Sequence, residues 1–302
     1  MNGIDFPSDF PETKTMMDFL KKTFEKSWKV ELDIENVILW LENFSGKIHA
    51  KDVEQRLALW MLCNFTYYNE IEVKHLCSVL FKNFVHQLII DNNFTDVEKI
   101  KNGIDECYFT SIGSAGESGG LMLYHFRQEA NLSIDRFFFP TTLNTSDNDI
   151  IVCIDDVMLS GGTASRFFYK ILENLKCKKI YYLTLITCEE AITKLENLGV
   201  SVIYCASLDN RNKIFSDESL CFYKFHSLKG AARTMAETYG KDLEPQNPLG
   251  YKDGQYSFGF YYNIPNNSLP IFWSSNNWNP ILQRKEKLQN VSNYKREFNH
   301  FI

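Results

Sequence analysis

Asp155 and Asp156 stand side by side at the end of the apolar run Ile150–Ile154, and Ser160-Gly161-Gly162-Thr163-Ala164 follows directly after Val157-Met158-Leu159. Paired carboxylates accept hydrogen bonds from the neighbouring hydroxyls of a sugar. A glycine turn with small hydroxyl side chains brings backbone N–H groups close to an anion such as a phosphate. The apolar run is short, β-branched and uncharged, as expected of a strand covered on both faces. A helix expected over 163–175 points its unpaired N–H groups and positive dipole end at the same spot. The acidic pair then lies at the carboxyl edge of the sheet, where ligands of open α/β sheets bind. The same residues also fit a plain strand–turn–helix, with the acids capping the helix and the glycines only making the turn.

Elements alternate around this stretch. Strands are expected at 107–112, 136–139, 150–154, 179–186 and 200–206, with helices at 121–128, 163–175 and 189–198. Strand and helix in turn imply βαβ units and a parallel sheet. Gly199 stands where a helix C-cap is expected. Before the α/β core, residues 13–92 read as mostly helical. Val53, Leu57, Trp60 and Met61 share one helix face, and Val73, Leu76, Cys77, Leu80, Phe81 and Phe84 another, with a break at Asn69-Glu70. Trp60, Phe65, Tyr67 and Tyr68 read as helix–helix core more readily than as a pocket wall. After 208 the chain is aromatic-rich. A helix at 228–239 ended by Gly240, a strand over 257–264, an amide-rich turn at Asn266-Asn267 and a surface helix over 284–302 are expected. The expected division is a helical region 1–104, an α/β core 105–208 and an extension 209–302 covering the site.

A second glycine-rich loop follows the first core strand. Gly113, Ser114, Gly116, Glu117, Ser118 and Gly119 can form an anion nest, or simply a tight strand-to-helix turn. This loop has no Lys or Arg, and Glu117 repels an anion, so a cation must come from elsewhere. Arg127, Arg136, Arg211, Lys229 and Arg233 are candidates, although each is equally an ordinary surface charge. The stretch 140–148 has no basic residue either.

The formal net charge of −6 argues against strong unaided nucleic-acid binding. The eight cysteines lack Cys-x-x-Cys spacing and read as reduced core residues, with no histidine at metal-ligand spacing. No apolar run reaches the length of a membrane span, and no signal peptide is evident. A cytoplasmic protein with no membrane association is expected.

The ordered set of apolar strand, Asp155-Asp156 and Ser160-Gly161-Gly162-Thr163 resembles the PRPP-binding signature of the type I phosphoribosyltransferases. The segments Arg56-Leu57-Ala58-Leu59-Trp60, Phe65-Thr66-Tyr67-Tyr68, 112–120 and 265–273 resemble the phosphoribosyltransferase-like PRTase-CE proteins of prokaryotic conflict systems. The resemblance implies an α/β, Rossmann-like parallel sheet of the type I phosphoribosyltransferase kind. It also implies an anti-phage defence effector with a defence-system protein or nucleic-acid partner. On this reading Asp155 and Asp156 hold the ribose of PRPP or a related ribose-phosphate donor. Ser160, Gly161, Gly162, Thr163 and Ala164 hold its 5-phosphate, and the loop from Gly113 to Gly119 its diphosphate. Mg²⁺ comes with the substrate and has no direct protein ligand. The group would be transferred or hydrolysed, a glycosyltransferase-type reaction. Tyr251, Phe258, Phe260, Tyr261 and Trp273 would stack a base, or else pack the core, and Asn266 and Asn267 would meet a base edge or make a turn. The glycine loop, with no basic residue and with Glu117, departs from the family pattern. A non-catalytic PRPP or nucleotide sensor or regulatory subunit, and a toxin directed at NAD, nucleotides or nucleic acid, remain alternatives.

Overall fold

The computed structural model describes residues 4–112, 118–139, 149–171 and 177–284. Among the described residues the core is a four-stranded parallel sheet in the order β2 (Cys107–Ser111), β3 (Ile150–Met158), β4 (Lys179–Cys188), β5 (Ser201–Leu208). The expected α/β class is thus observed. β3 and β4 lie inside the sheet, and alternation sends their side chains to opposite layers. Ile150, Val152 and Ile154 face α4 (Glu70–Asn92) and α6 (Ser118–Ala130). Ile151 and Cys153 face α7 (Gly162–Ile171) and α8 (Glu189–Glu196). Asn69 caps α4 in a reciprocal box with Glu72, placing the expected break there.

A further buried cluster joins residues 10–65 to residues 214–282. It packs α1 (Thr13–Thr23), α2 (Ile34–Leu41) and α3 (Lys51–Cys63) against α9 (His226–Leu243) and α10 (Pro270–Trp273). A small parallel pair, β1 (Thr66–Tyr68) with β6 (Phe258–Phe260), ties the same two stretches of chain together.

Four expectations change. The strand at 136–139 is a single bridge from Phe137 to Phe109, preceded by a 3₁₀ turn over Ile134–Arg136. There the Phe137 ring stacks on Phe109 at 5.0 Å, so these aromatics cover the sheet edge without extending it. The strand over 257–264 shrinks to Phe258–Phe260, because Phe260 and Asn263 exchange backbone hydrogen bonds and turn the chain back. The helix expected to stop at Gly240 runs on to Leu243. Gly240 serves close packing instead: a Cβ there would lie 2.0 Å from the Pro248 carbonyl oxygen. β1 lies within the stretch read as helical. The surface helix expected at the C-terminus falls outside the described residues beyond Arg284, as does 140–148.

One buried carboxylate locks the helical layer. Glu54 is 0% exposed. Its Oε1 accepts the N–H groups of Ile48 and His49 at 2.8 and 3.1 Å. Its Oε2 accepts the Gly46 N–H at 2.8 Å and the Tyr239 hydroxyl at 2.6 Å. Burial works to raise its pKa, but the Tyr239 hydroxyl and the three N–H donors more than reverse this and hold it below the ordinary 4.5. Removing the carboxylate leaves four donors without their acceptor, three half-buried N–H groups and the buried Tyr239 hydroxyl, so Glu54→Ala should cost about 2–4 kcal/mol in urea unfolding. A loss under about 1 kcal/mol would reduce Glu54 to the worth of a surface pair. Because the folded pKa is depressed, the ionic contribution is complete above 4.5 and disappears as pH falls through the folded value. The gap between wild type and Glu54→Gln should therefore narrow in acid.

Candidate functional site

The strand alternation divides the acidic pair. Asp155 continues the series of Ile151 and Cys153, and Asp156 that of Val152 and Ile154. Asp155 Oδ2 accepts the Tyr182 hydroxyl at 2.8 Å, and its Oδ1 accepts the Asp156 N–H at 2.9 Å. Asp156 Oδ2 accepts the Tyr262 hydroxyl at 3.1 Å, and its Oδ1 accepts the Val157 N–H at 2.8 Å. Asp156 is only 8% exposed and looks into the layer of α6, where the Tyr262 hydroxyl also meets Met122 Sδ at 3.5 Å. Burial, and next the charge of Asp156, push the Asp155 carboxyl well above the usual carboxylate range, against the opposing hydrogen bond from Tyr182. Burial and the Asp155 charge likewise push the Tyr182 hydroxyl up, so it remains a donor.

Beyond β3 the chain makes its glycine turn and enters α7. Gly161 has φ +63°, a left-handed conformation that favours glycine. The Ser165 N–H reaches the Gly161 carbonyl at 2.8 Å, so α7 begins at the turn. The N–H groups of Gly162, Thr163 and Ala164 belong to its first turn, where an α-helix has no carbonyl to offer them. They border a cavity of about 330 Å³ walled by Asp155, Ser160–Ala164, Arg166, Tyr182, Tyr251, Asn266 and Asn267. A second cavity of about 430 Å³ shares Leu159, Ser160, Tyr251 and Asn267 with the first, and opens toward the carboxyl ends of β4 and β5.

Of the residues expected from sequence, the cavity brings together Asp155, Ser160, Gly161, Gly162, Thr163 and Ala164 with Tyr251, Asn266 and Asn267. Asp156 does not border it and is held by the Tyr262 hydroxyl. Ser118 and Gly119 open α6 and do not border the cavity; a Cβ on Gly119 would lie 2.8 Å from the Ile112 carbonyl oxygen. Gly113, Ser114, Gly116 and Glu117 lie outside the described residues. Phe258, Phe260 and Trp273 are core, and the Tyr261 hydroxyl lies 2.7 Å from His125 Nε2. None of Arg127, Arg136, Arg211, Lys229 and Arg233 borders the cavity. Arg211 pairs with Asp209 and Lys229 with Asp217, while Arg136 lies over the Tyr108 ring.

Arg166 and Tyr182 were missed. Arg166 lies three residues past Thr163, a helical spacing that sets it on the same face as the turn. Tyr182 is reached only through strand register: Cys153 pairs with Tyr182 and Asp155 with Thr184. The available signal was a tyrosine in a buried strand, whose hydroxyl needs a partner. Among the described residues, no three carboxylate, imidazole or thiol side chains gather as a metal cage. Nor is any helix among them long and apolar enough to cross a membrane.

Comparison with solved structures finds partial likenesses. An orotate phosphoribosyltransferase from Aeropyrum pernix is 14% identical over 33% of this chain and 58% of its own, with a TM-score of 0.26. A hypothetical protein from Neisseria gonorrhoeae with bound ppGpp is 10% identical over 56% of this chain and 98% of its own, with a TM-score of 0.33. Leishmania donovani UMP synthase is 13% identical over 66% of this chain and 41% of its own, with a TM-score of 0.32. The chain thus spans little more than half of the first of these and less than half of the last. No curated protein matches it. The profile of the family described as PRTase-CE matches residues 37–284, most of the sequence, and the chain belongs to that phosphoribosyltransferase-like family.

Proposed function

We propose that this chain binds PRPP or a related ribose-phosphate donor and transfers or hydrolyses the phosphoribosyl group, as an effector of an anti-phage defence system. The observation that carries the reading is the meeting, on one cavity, of the α7 anion turn, the Asp155 carboxylate and the Arg166 guanidinium. The 5-phosphate takes the N–H groups of Gly162, Thr163 and Ala164 and the hydroxyls of Ser160 and Thr163. Ionised Asp155 accepts from the ribose hydroxyls. Arg166 attracts the donor's negative charge. Tyr251 and Asn266 offer a ring face and an amide to whatever group attacks.

The bond between C1 and the diphosphate oxygen breaks, and the leaving diphosphate keeps its electron pair. Positive charge grows on the sugar, which a carboxylate at its hydroxyl side favours. The nucleophile bonds to C1 and gives up its proton; with water as nucleophile the step is hydrolysis. Mg²⁺ would ride on the oxygens of the donor, neutralising its diphosphate. A defence-system protein or a nucleic acid is the expected partner.

A second reading is a PRPP or nucleotide sensor that binds without turnover. It is favoured by Asp156, which is engaged by Tyr262 and leaves one carboxylate at the cavity. The two readings separate in one experiment: calorimetric titration of PRPP with Mg²⁺ into the purified chain, followed by assay for released diphosphate. Binding with release supports the enzyme, and binding alone the sensor. Absence of binding by folded protein sinks both, and NAD or a nucleotide becomes the ligand to titrate.

Asp155→Asn should weaken PRPP at least tenfold, about 1.4 kcal/mol or more, through hydrogen bonds to a charged acceptor. Unchanged affinity would remove Asp155 from the site. Tyr262→Phe should behave in the opposite way. It deprives buried Asp156 of a donor and should lower stability by about 1–2 kcal/mol in thermal or urea unfolding, with donor affinity within about threefold of wild type. If Tyr262→Phe weakens PRPP as strongly as Asp155→Asn, Asp156 shares in the grip.

A further inference from the structure

β3 ends at Met158, yet the next residues are not released. Thr187 Oγ1 donates to the Met158 carbonyl at 2.9 Å, and Cys188 Sγ to the Leu159 carbonyl at 2.9 Å. Lys194 Nζ donates to the Ser160 carbonyl at 3.0 Å. Three consecutive carbonyls are thus each held by a side chain from the end of β4 or from α8. Where the ladder stops, side-chain donors take over from it.

We infer that Lys194, which stands behind the anion turn, is a positioning residue for the proposed donor site. A carbonyl dipole aimed at a phosphate repels it, whereas N–H groups attract it. Holding the Ser160 carbonyl against α8 fixes the peptide planes of the turn, so that the N–H groups of the α7 first turn remain at the cavity. Gly161 sits directly on the Lys194 stem: a Cβ there would lie 3.4 Å from Lys194 Cδ and 3.5 Å from Ala191 Cα. Lys194 does not border the cavity of Asp155 and Arg166. Its ammonium is also paired with Glu190, one helical turn away. Its part is therefore to hold the backbone, with Arg166 left to meet the ligand. The bland account is a solvated i,i+4 pair of little consequence. That account leaves the bond to Ser160 without effect.

Lys194→Met removes the donor and keeps the stem under Gly161; Lys194→Arg keeps a donor. Amide hydrogen exchange over 159–164 tests the positioning in the free protein, independently of any ligand. In Lys194→Met it should rise about tenfold in the turn, with β3 amides unchanged. Ribose 5-phosphate, titrated calorimetrically, should bind about tenfold more weakly, with most of the loss recovered in Lys194→Arg. Exchange in the turn within about twofold of wild type overturns the inference. So does raised exchange with unchanged ribose 5-phosphate affinity. The ligand arm rests on the proposed donor reading: wild type that fails to bind ribose 5-phosphate overturns that reading, while the exchange arm still decides the role of Lys194.

Discussion

Burial of β3 on both faces is the constraint from which the site follows. A strand hydrogen-bonded on each side and covered by helices above and below has no freedom of register, because a one-residue slip would exchange its two layers. Ile150, Val152 and Ile154 are committed to the α4–α6 layer, and Ile151 and Cys153 to the α7–α8 layer. The next two residues must obey the same alternation. Adjacent carboxylates at the end of such a strand are sent to opposite layers, and each needs its own neutral donor. Tyr182 supplies one from within the sheet, and Tyr262 supplies the other from the C-terminal stretch.

That second donor explains why the ends of the chain matter to the centre. The segment carrying Tyr262 is fixed by β6, which pairs with β1 beside the helical layer. Tyr261 and Tyr262 point to different partners, one to His125 on α6 and the other to Asp156 on β3. The same C-terminal stretch delivers Tyr251, Asn266 and Asn267 to the cavity. The backbone there is tightly folded. The Asn266 carbonyl accepts the Tyr251 N–H at 2.7 Å, and a Cβ on Gly250 would lie 2.3 Å from the Asn267 carbonyl oxygen. Packing far from the turn thus decides which groups face the proposed donor.

The sheet, the turn and Asp155 were legible in the sequence because each depends on neighbours in the chain: an apolar run, a glycine needing positive φ, a helix start. The surroundings of the second aspartate were not legible for a physical reason. Strand pleating gives the two neighbouring carboxylates different hydroxyl donors, Tyr182 and Tyr262, and both lie far along the chain. Tyr262 and the three-residue strand β1 depend on pairing between residues far apart along the chain, and no local pattern encodes that. The aromatic run Phe137-Phe138-Phe139 misleads differently, since rings that cover a sheet edge look like rings within a strand. Phe137 stacks on Phe109, and Phe138 lies tilted against Tyr108. Arg166 was available from helical spacing past Thr163, although nothing in the glycine loop, which lacks Lys and Arg, points to it.

A single carboxylate still suffices for the proposed chemistry. A carboxylate offers about four lone-pair sites. Asp155 uses one on each oxygen, for the Tyr182 hydroxyl and the Asp156 N–H. One site per oxygen remains, enough for the two adjacent hydroxyls of a ribose. The existing donors also orient the group, so a sugar would meet a carboxylate whose plane is already set. The proximity of Asp156 works against ionisation of Asp155, and every hydroxyl that donates to Asp155 works for it. On the proposed reading, a polyhydroxylated ligand would complete the ionised state that burial alone disfavours, as a bare phosphate would not.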